Sequence, residues 1–330
     1  MASVDVVVPS YNYGHYLRDC IESILSQDVD RLRLLIIDNA STDDSLTVAS
    51  KLAQQDNRIE IVAHHTNLGP HASFNEGIDW ARSEYFIIVC ADDLLAPGAL
   101  RRAIDLMENQ LDVSFLVGVE ISLTNEEIAG QEFSIAGEES SRIISGLEYV
   151  EQRCAAPGNL VTAGAVVVRT STQKKAGYYR PSLPYTDDFE MLLRLATLGQ
   201  VATTSRTQGV RREHEGNMSK TFWRERIRDL VEREAAFSSF FANEGKSLPN
   251  AAVLAALARK NIAAPAYWSA ISHSCRGRFR EAGALFRFAF NHSPISIIVP
   301  PIGYLISMPQ PFRRVTNVLL EALGLRTETS

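Results

Sequence analysis

Val6-Val7-Val8-Pro9-Ser10-Tyr11-Asn12 and Ile36-Ile37-Asp38-Asn39-Ala40-Ser41 share one plan, an unbroken apolar run that stops at small and polar residues. Runs without alternation mark strands covered on both faces. Between the two, Leu17, Cys20, Ile21, Ile24 and Leu25 fall at helical spacing and predict an amphipathic helix over 16–27. Working outward, the same reading gives strands at 5–9, 34–37, 59–63, 85–90 and 113–120. Helices follow at 45–55, where Ser41 and Asp44 form a capping-box start, at 72–81, and at 98–109 behind Pro97. Strand–helix alternation at this spacing means parallel βαβ units. The expected class is α/β, a doubly wound, mostly parallel sheet with right-handed crossovers.

Beyond Ile121 the pattern dissolves, and an antiparallel excursion is expected over 121–142. A buried strand at 161–169, a helix at 189–198 closed by Gly199, and a short strand at 201–204 complete this region. After Asn217 only helices are expected, at 222–243, 250–262, 267–274 and 280–291. The domain division is therefore 1–220, split into halves 1–120 and 121–220, and a helical region 221–330.

With 330 residues, 45% hydrophobic and 22% charged, the chain has enough apolar content for a large core and excludes a disordered, collagenous or coiled-coil protein. A sequence pI near 5.7 disfavours nucleic acid as partner. Four scattered cysteines without a CxxC pair read as reduced thiols. A strand begins almost at once, with no leader pattern before it, so a cytoplasmic location is expected. The net charge of −6 divides unevenly into −12 on 1–258 and +6 on 259–330.

Ligands of open parallel sheets bind beyond the carboxyl ends of the strands. Those ends here are Pro9-Ser10-Tyr11-Asn12, Asp38-Asn39-Ala40-Ser41 and Ala91-Asp92-Asp93. No GxGxxG and no P-loop follows the first strand, so a phosphate cradle made of glycines is missing. Carboxylates in its place point to diphosphate held through a hard divalent cation. Each piece also has an ordinary reading: a strand-end Asx turn at 38–41, a solvated helix approach at 92–93, a structural histidine at 214.

Together these segments resemble the family 2 glycosyltransferases of the GT-A fold. The resemblance runs on through Asn67-Leu68-Gly69, Asn75-Glu76-Gly77, Asp187-Asp188-Phe189-Glu190 and Arg212-Glu213-His214 to Asn217, in order over about 3–220. It implies an inverting, metal-dependent transfer of a sugar from a nucleoside diphosphate to an acceptor hydroxyl, in surface polysaccharide or glycolipid assembly. Asp38 would meet the base, and Pro9, Ser10, Tyr11 and Asn12 would hold base and ribose. Asn67, Asp187 and Arg212 would line the donor site. Asp92 and Asp93 would form the DXD-type pair that carries Mn²⁺ or Mg²⁺, with His214 as a further ligand. Asp188 would be the general base. A UDP- or dTDP-sugar donor and a carbohydrate or lipid-linked acceptor are expected. The alternative is a catalytically silent GT-A-like nucleotide-binding or scaffold protein. Cys90 stands where many members have Asp, and Phe74 where many have Arg.

In the tail, Trp268, Phe279, Phe286, Phe288, Phe290 and Tyr304 interleave with Arg276, Arg278, Arg280 and Arg287, and 293–308 carries no charge. Two readings stand: contact with the inner face of the plasma membrane, or packing on the catalytic domain or on a second copy in a homodimer.

Overall fold

The run at 6–8 becomes the centre of β1 (Ser3–Ser10), flanked in parallel by β2 (Arg31–Asp38) and β4 (Tyr85–Ile88). A computed structural model describes residues 2–130, 140–158, 163–217 and 225–307, with 310, 313, 316, 317 and 320. Beyond β2 lies β3 (Ile59–Ala63), also parallel. The other strands are β5 (Leu94–Leu95), β6 (Val113–Leu123), β7 (Ser141–Ile144), β8 (Val166–Arg169) and β9 (Gln200–Arg212). The nine-stranded sheet has the order β3-β2-β1-β4-β8-β6-β9-β5, with β7 beside β9. β8 is antiparallel to both β4 and β6, and β6 and β9 are parallel. The sheet is mostly parallel, as expected.

Val4, Val6 and Val8 of β1 pack with Leu17, Cys20, Ile21 and Ile24 of α1 (Gly14–Leu25) in the main core. Val7 faces the other way, toward α3 (Pro70–Trp80), where a Cβ on Gly77 would come within 2.6 Å of Val7 Cγ1. Glycine lets that helix lie directly on the strand. α2 (Ser45–Gln55) falls where expected, but its start is built differently. Ser41 Oγ accepts the Asn12 N–H at 3.0 Å, and Asp43 Oδ1 takes the N–H and hydroxyl of Ser45. The neighbouring strand end recruits Ser41, leaving Asp43 to satisfy the helix.

Three further readings need correction. The short strand expected at 201–204 is the first part of the thirteen-residue β9. Its polar stretch 203–208 hides it from an apolar-run reading, and ladder pairing with β6, β7 and β5 carries it instead. In place of a full strand at 161–169, Ala163–Ala165 is a 3-10 turn and only Val166–Arg169 is extended, while 161 and 162 lie outside the described residues. The helices at 250–262 and 267–274 are one, α10 (Ala251–Cys275) with Pro265 inside. Proline costs that helix one hydrogen bond, but buried neighbours at Ile262, Ala263, Ala264 and Ala266 hold it together. Part of the excursion, 131–139, and the expected helix start at 222–224 lie outside the described residues.

The chain forms two units, Met1–Val150 with Leu160–Asn217, and Glu151–Asn159 with Met218–Ser330. The sheet belongs to the first; along the chain after α3 come α4 (Ala99–Glu108), α5 (Asn125–Gly130), α6 (Gly146–Ala155), α7 (Thr170–Ala176) and α8 (Asp187–Ala196). In the second, α9 (Arg226–Ala242) holds a buried Asp229–Arg233 pair whose guanidinium also donates to the Pro157 carbonyl. α10 and α11 (Phe279–His292) pack around Tyr267, Phe286 and Phe290. No described helix is long and apolar enough to cross a membrane.

Candidate active site

The loops after β1 and β2 are tied together before any ligand is considered. Asn12 and Ala40 sit in the left-handed region at φ 57° and 61°. Asn12 Oδ1 accepts the Thr42 N–H at 2.7 Å, an arrangement that suits an Asx residue at positive φ. Asn39 donates to Asn67 Oδ1 and Gly69 O, and its own Oδ1 accepts the Leu68 N–H. Asn12 and Asn67 thus hold the loops. Ser10 and Asp38 are different. Both are buried, and Ser10 Oγ and Asp38 Oδ1 have no hydrogen-bond partner among the described residues, while Asp38 Oδ2 takes the Ser41 N–H. Unpaired polar atoms at a strand's carboxyl edge are costly unless something binds there. Tyr11 is exposed beside them, and Pro9 is half-buried.

The chain past β4 continues along β1, with Ala91 N–H donating to Pro9 O, and turns through a Cys90 carbonyl that accepts the Asp93 N–H. α1 and the turn after it fix the exit: Ser23 Oγ accepts the Leu95 N–H, and Gln27 bridges the Ala96 carbonyl and the Leu100 N–H. Asp92 and Asp93 are both buried. Cys90, Asp92 and Asp93 each present a ligand atom, all within 4.8 Å of one another. The end of β9 closes the site. Arg212 N–H donates to Asp93 Oδ1 and Arg212 Nε to Asp92 O, both at 3.0 Å. Its remaining nitrogens reach Asn125 and Asp19, and the guanidinium stacks over Tyr16. Arg212 therefore acts here as a clamp on the acidic loop. His214 Nε2 lies 3.1 Å from Asp92 Oδ2, with its ring against Tyr13 and Tyr16.

Asp187 and Asp188 start α8 (Asp187–Ala196). Glu190 in its first turn is fully buried, paired with Arg180 and with Arg194 one turn on, and Arg194 also donates to Ala176 O and Tyr178 O. That network fixes the helix start. Asp187 Oδ2 contacts His71 Nε2 at 3.1 Å. Asp188 Oδ2 accepts the Ala163 N–H, its Oδ1 is buried, and the Tyr179 hydroxyl is a hydrogen-bond partner of the same carboxyl. Beside it lies a narrow, mostly apolar cavity of about 20 Å³ lined in part by Ile88, Tyr179 and Leu192. Phe74 packs edge-on against Tyr179, and Asn75 clamps the Tyr179 backbone through both its amide atoms. At position 74 an aromatic wall stands in place of a cation.

Electrostatics links these segments. Burial, then Asp92 and Glu120, push the Asp93 carboxyl well above the ordinary carboxylate range. Burial, then Asp187, do the same to Asp188, and Glu120 adds to it. Burial and the charges of Asp93, Asp92 and Asp188 hold the Cys90 thiol neutral. Cys90 thus lies within reach of the charges of Asp92, Asp93 and Asp188 alike. Glu120, on β6, acts on both raised carboxyls and escaped the sequence reading, because nothing marks one glutamate inside a strand until its partners are known. Asp93 and Asp188, both raised by burial first and by neighbouring carboxylates second, would each be relieved by added positive charge. Two carboxylates with a thiol and an imidazole nearby are a chemically reasonable donor set for a divalent cation.

Residues 5–165 match the model of the family described as Glycosyl transferase family 2. They are a family 2 glycosyltransferase domain. GlyG, a glycosyltransferase of Streptococcus pneumoniae serotype 4, is 37% identical over 92 residues, which are 28% of this chain and 31% of GlyG. YibD of Escherichia coli, named an uncharacterized glycosyltransferase, is 32% identical over 112 residues, again about a third of either chain. The match thus spans about a third of these relatives' own length. In solved structures, the mannosyltransferase PcManGT of Pyrobaculum calidifontis, in complex with GDP-Man and Mn²⁺, superposes with TM-score 0.61 at 17% identity, over 98% of this chain and 85% of that one. S. aureus TarS 1-349, in complex with UDP-GlcNAc, gives 0.57 at 15% over 86% and 90%. These glycosyltransferases share the fold, and the glycosyltransferase domain here has the expected GT-A architecture.

Proposed function

We propose that the protein is an inverting glycosyltransferase that moves a sugar from a nucleoside diphosphate, UDP- or dTDP-sugar in preference, to an acceptor hydroxyl. The observation that carries this reading is that Asp92 and Asp93, inside the family 2 match, and Asp188, beyond it, all bear with their charges on one group, Cys90. Asp38 and Ser10, buried with unpaired oxygens at the neighbouring strand ends, would receive base and ribose. Asp92 and Asp93 would hold Mn²⁺ or Mg²⁺, with Cys90 and His214 in reach; when bound, the cation neutralises charge on the leaving diphosphate. Asp188 takes the proton as the acceptor oxygen forms its bond to the anomeric carbon. The bond from that carbon to the phosphate oxygen breaks, and its electron pair leaves with the nucleoside diphosphate. A carboxylate whose pKa is raised by burial is the stronger base for that task.

The acceptor is a carbohydrate or a lipid-linked glycan, as in the assembly of surface polysaccharide or glycolipid. The structural neighbours TarS and PcManGT are in complex with UDP-GlcNAc and with GDP-Man, which supports a nucleotide-sugar donor. Calorimetry with UDP, dTDP and GDP, with and without EDTA, tests the donor and metal parts. Binding that needs the cation is expected, and equal affinity in EDTA would overturn the metal role. Metal-dependent nucleotide binding without hydrolysis or transfer of any sugar across a donor panel would instead identify a silent nucleotide-binding protein.

A further inference from the structure

After α11 the chain enters a segment, 293–306, without a single charge. Pro294–Ile297 is one 3-10 turn, and α12 (Ile302–Ser307) is a helix of six residues. Ile295, Ile297, Ile298, Val299, Ile302 and Ile306 stand 54–83% exposed. Single exposed aliphatics are ordinary, but six within twelve positions make a patch. The backbone beneath them is fixed. Trp268 Nε1 donates to Pro301 O at 2.9 Å, and the buried Ser296 donates through both hydroxyl and amide to Ser293 O. A held backbone that turns its aliphatic side chains outward presents a surface.

The same unit carries a basic turn. Arg276, Arg278 and Arg280 are exposed around Phe279, itself 73% exposed, and Arg287 is exposed on α11. Trp268, which holds Pro301, lies seven residues before the end of α10, about 10 Å along its axis from that turn. We propose that this unit docks on an anionic lipid surface. The aliphatic side chains of 295–306 enter the boundary between headgroups and acyl chains, and the arginines meet the headgroups. The segment is too short and too broken by Pro300, Pro301 and Gly303 to cross a bilayer, so it lies on one. A second copy fits less well, because a two-fold contact through this patch would bring the basic turn near its own copy. The inference rests on the second unit alone and stands or falls apart from the transfer chemistry.

Sedimentation of the full chain with vesicles tests it. Co-sedimentation with phosphatidylcholine vesicles containing phosphatidylglycerol, little with phosphatidylcholine alone, and loss at high salt are expected. Ile298→Asp with Ile306→Asp should lower the vesicle partition coefficient about ten-fold or more. Arg278→Glu with Arg280→Glu should weaken binding at low salt, and both variants should keep wild-type circular dichroism. A chain that stays in the supernatant with anionic vesicles overturns the proposal, as does an Ile298→Asp, Ile306→Asp variant that still sediments. Light scattering that shows a dimer dissolved by the same pair assigns the patch to a second copy, which also overturns it.

Discussion

At the carboxyl edge of the sheet, buried carboxyls crowd together around the Arg212 clamp, and at 295–306 aliphatic side chains stand largely exposed. Each region breaks the usual rule for its side of the surface, and in opposite senses. The acidic edge is held from all around. α1 with Gln27 after it fixes the loop exit, Arg212 clamps both aspartates, and Glu190 with Arg194 pins the helix that carries Asp188. The aliphatic segment is held at its backbone, through Trp268 and Ser296 among others. A site for chemistry needs its side chains aimed to within fractions of an ångström, whereas a surface for lipid needs only to present area.

Single exchanges should therefore affect one region and leave the other alone. The largest effect is expected from Asp188→Asn, which keeps shape and removes the base. Turnover should fall by about 10²–10⁴-fold with nucleotide affinity and vesicle binding unchanged. Single-turnover kinetics beside calorimetry checks this, and a variant with wild-type turnover removes Asp188 from the chemistry. Asp93→Asn should follow, with a loss on the order of 10²–10³-fold. Its distinguishing mark is that nucleotide affinity no longer responds to manganese. Next comes Arg212→Lys. A lysine keeps the charge but loses the fork that reaches Asp92 O, Asn125 and Asp19 together. Turnover should drop roughly ten-fold and melting by a few degrees, since each kcal/mol is about 2–4 °C in a domain of this size. An unchanged melting point would mean that the clamp is not needed to hold the loop. None of these three should alter vesicle sedimentation.

Legibility differs between the two regions for a physical reason. Runs such as 6–8 and 34–37 are buried on both faces, so their character is written locally and the strands could be read directly. β9 could not, because Thr203 to Gln208 owe their extended form to neighbours distant in sequence. The motif residues Asp38, Asp92, Asp93 and Asp188 were visible as types and spacings. What was hidden is how protein partners occupy others: Arg212 and Asn67 read as ligand contacts, and both are engaged in holding loops. Glu120 was invisible, since its part depends on which carboxyls the fold brings to β6. In the helical unit, Pro265 divided α10 on paper, while tertiary packing keeps it whole.

The smallest effect concerns pH, and it moves a profile without changing its plateau. Asp188 is held above the ordinary carboxylate range by burial first and by the Asp187 charge second. Because its folded pKa is raised, the folded state keeps the proton at pH values where the unfolded chain has released it. Its contribution to stability is therefore present at low pH and is lost as pH rises through the folded value. The basic form needed for transfer appears over that same interval. The acid limb of the turnover profile should accordingly lie above the ordinary range for an aspartate. Asp187→Asn removes one raising charge and should move that limb to lower pH, with the plateau close to wild type. Turnover measured from pH 4 to 9 on both proteins, with vesicle binding followed alongside, checks the shift. A limb that stays in place after Asp187→Asn would mean that a group other than Asp188 carries the proton.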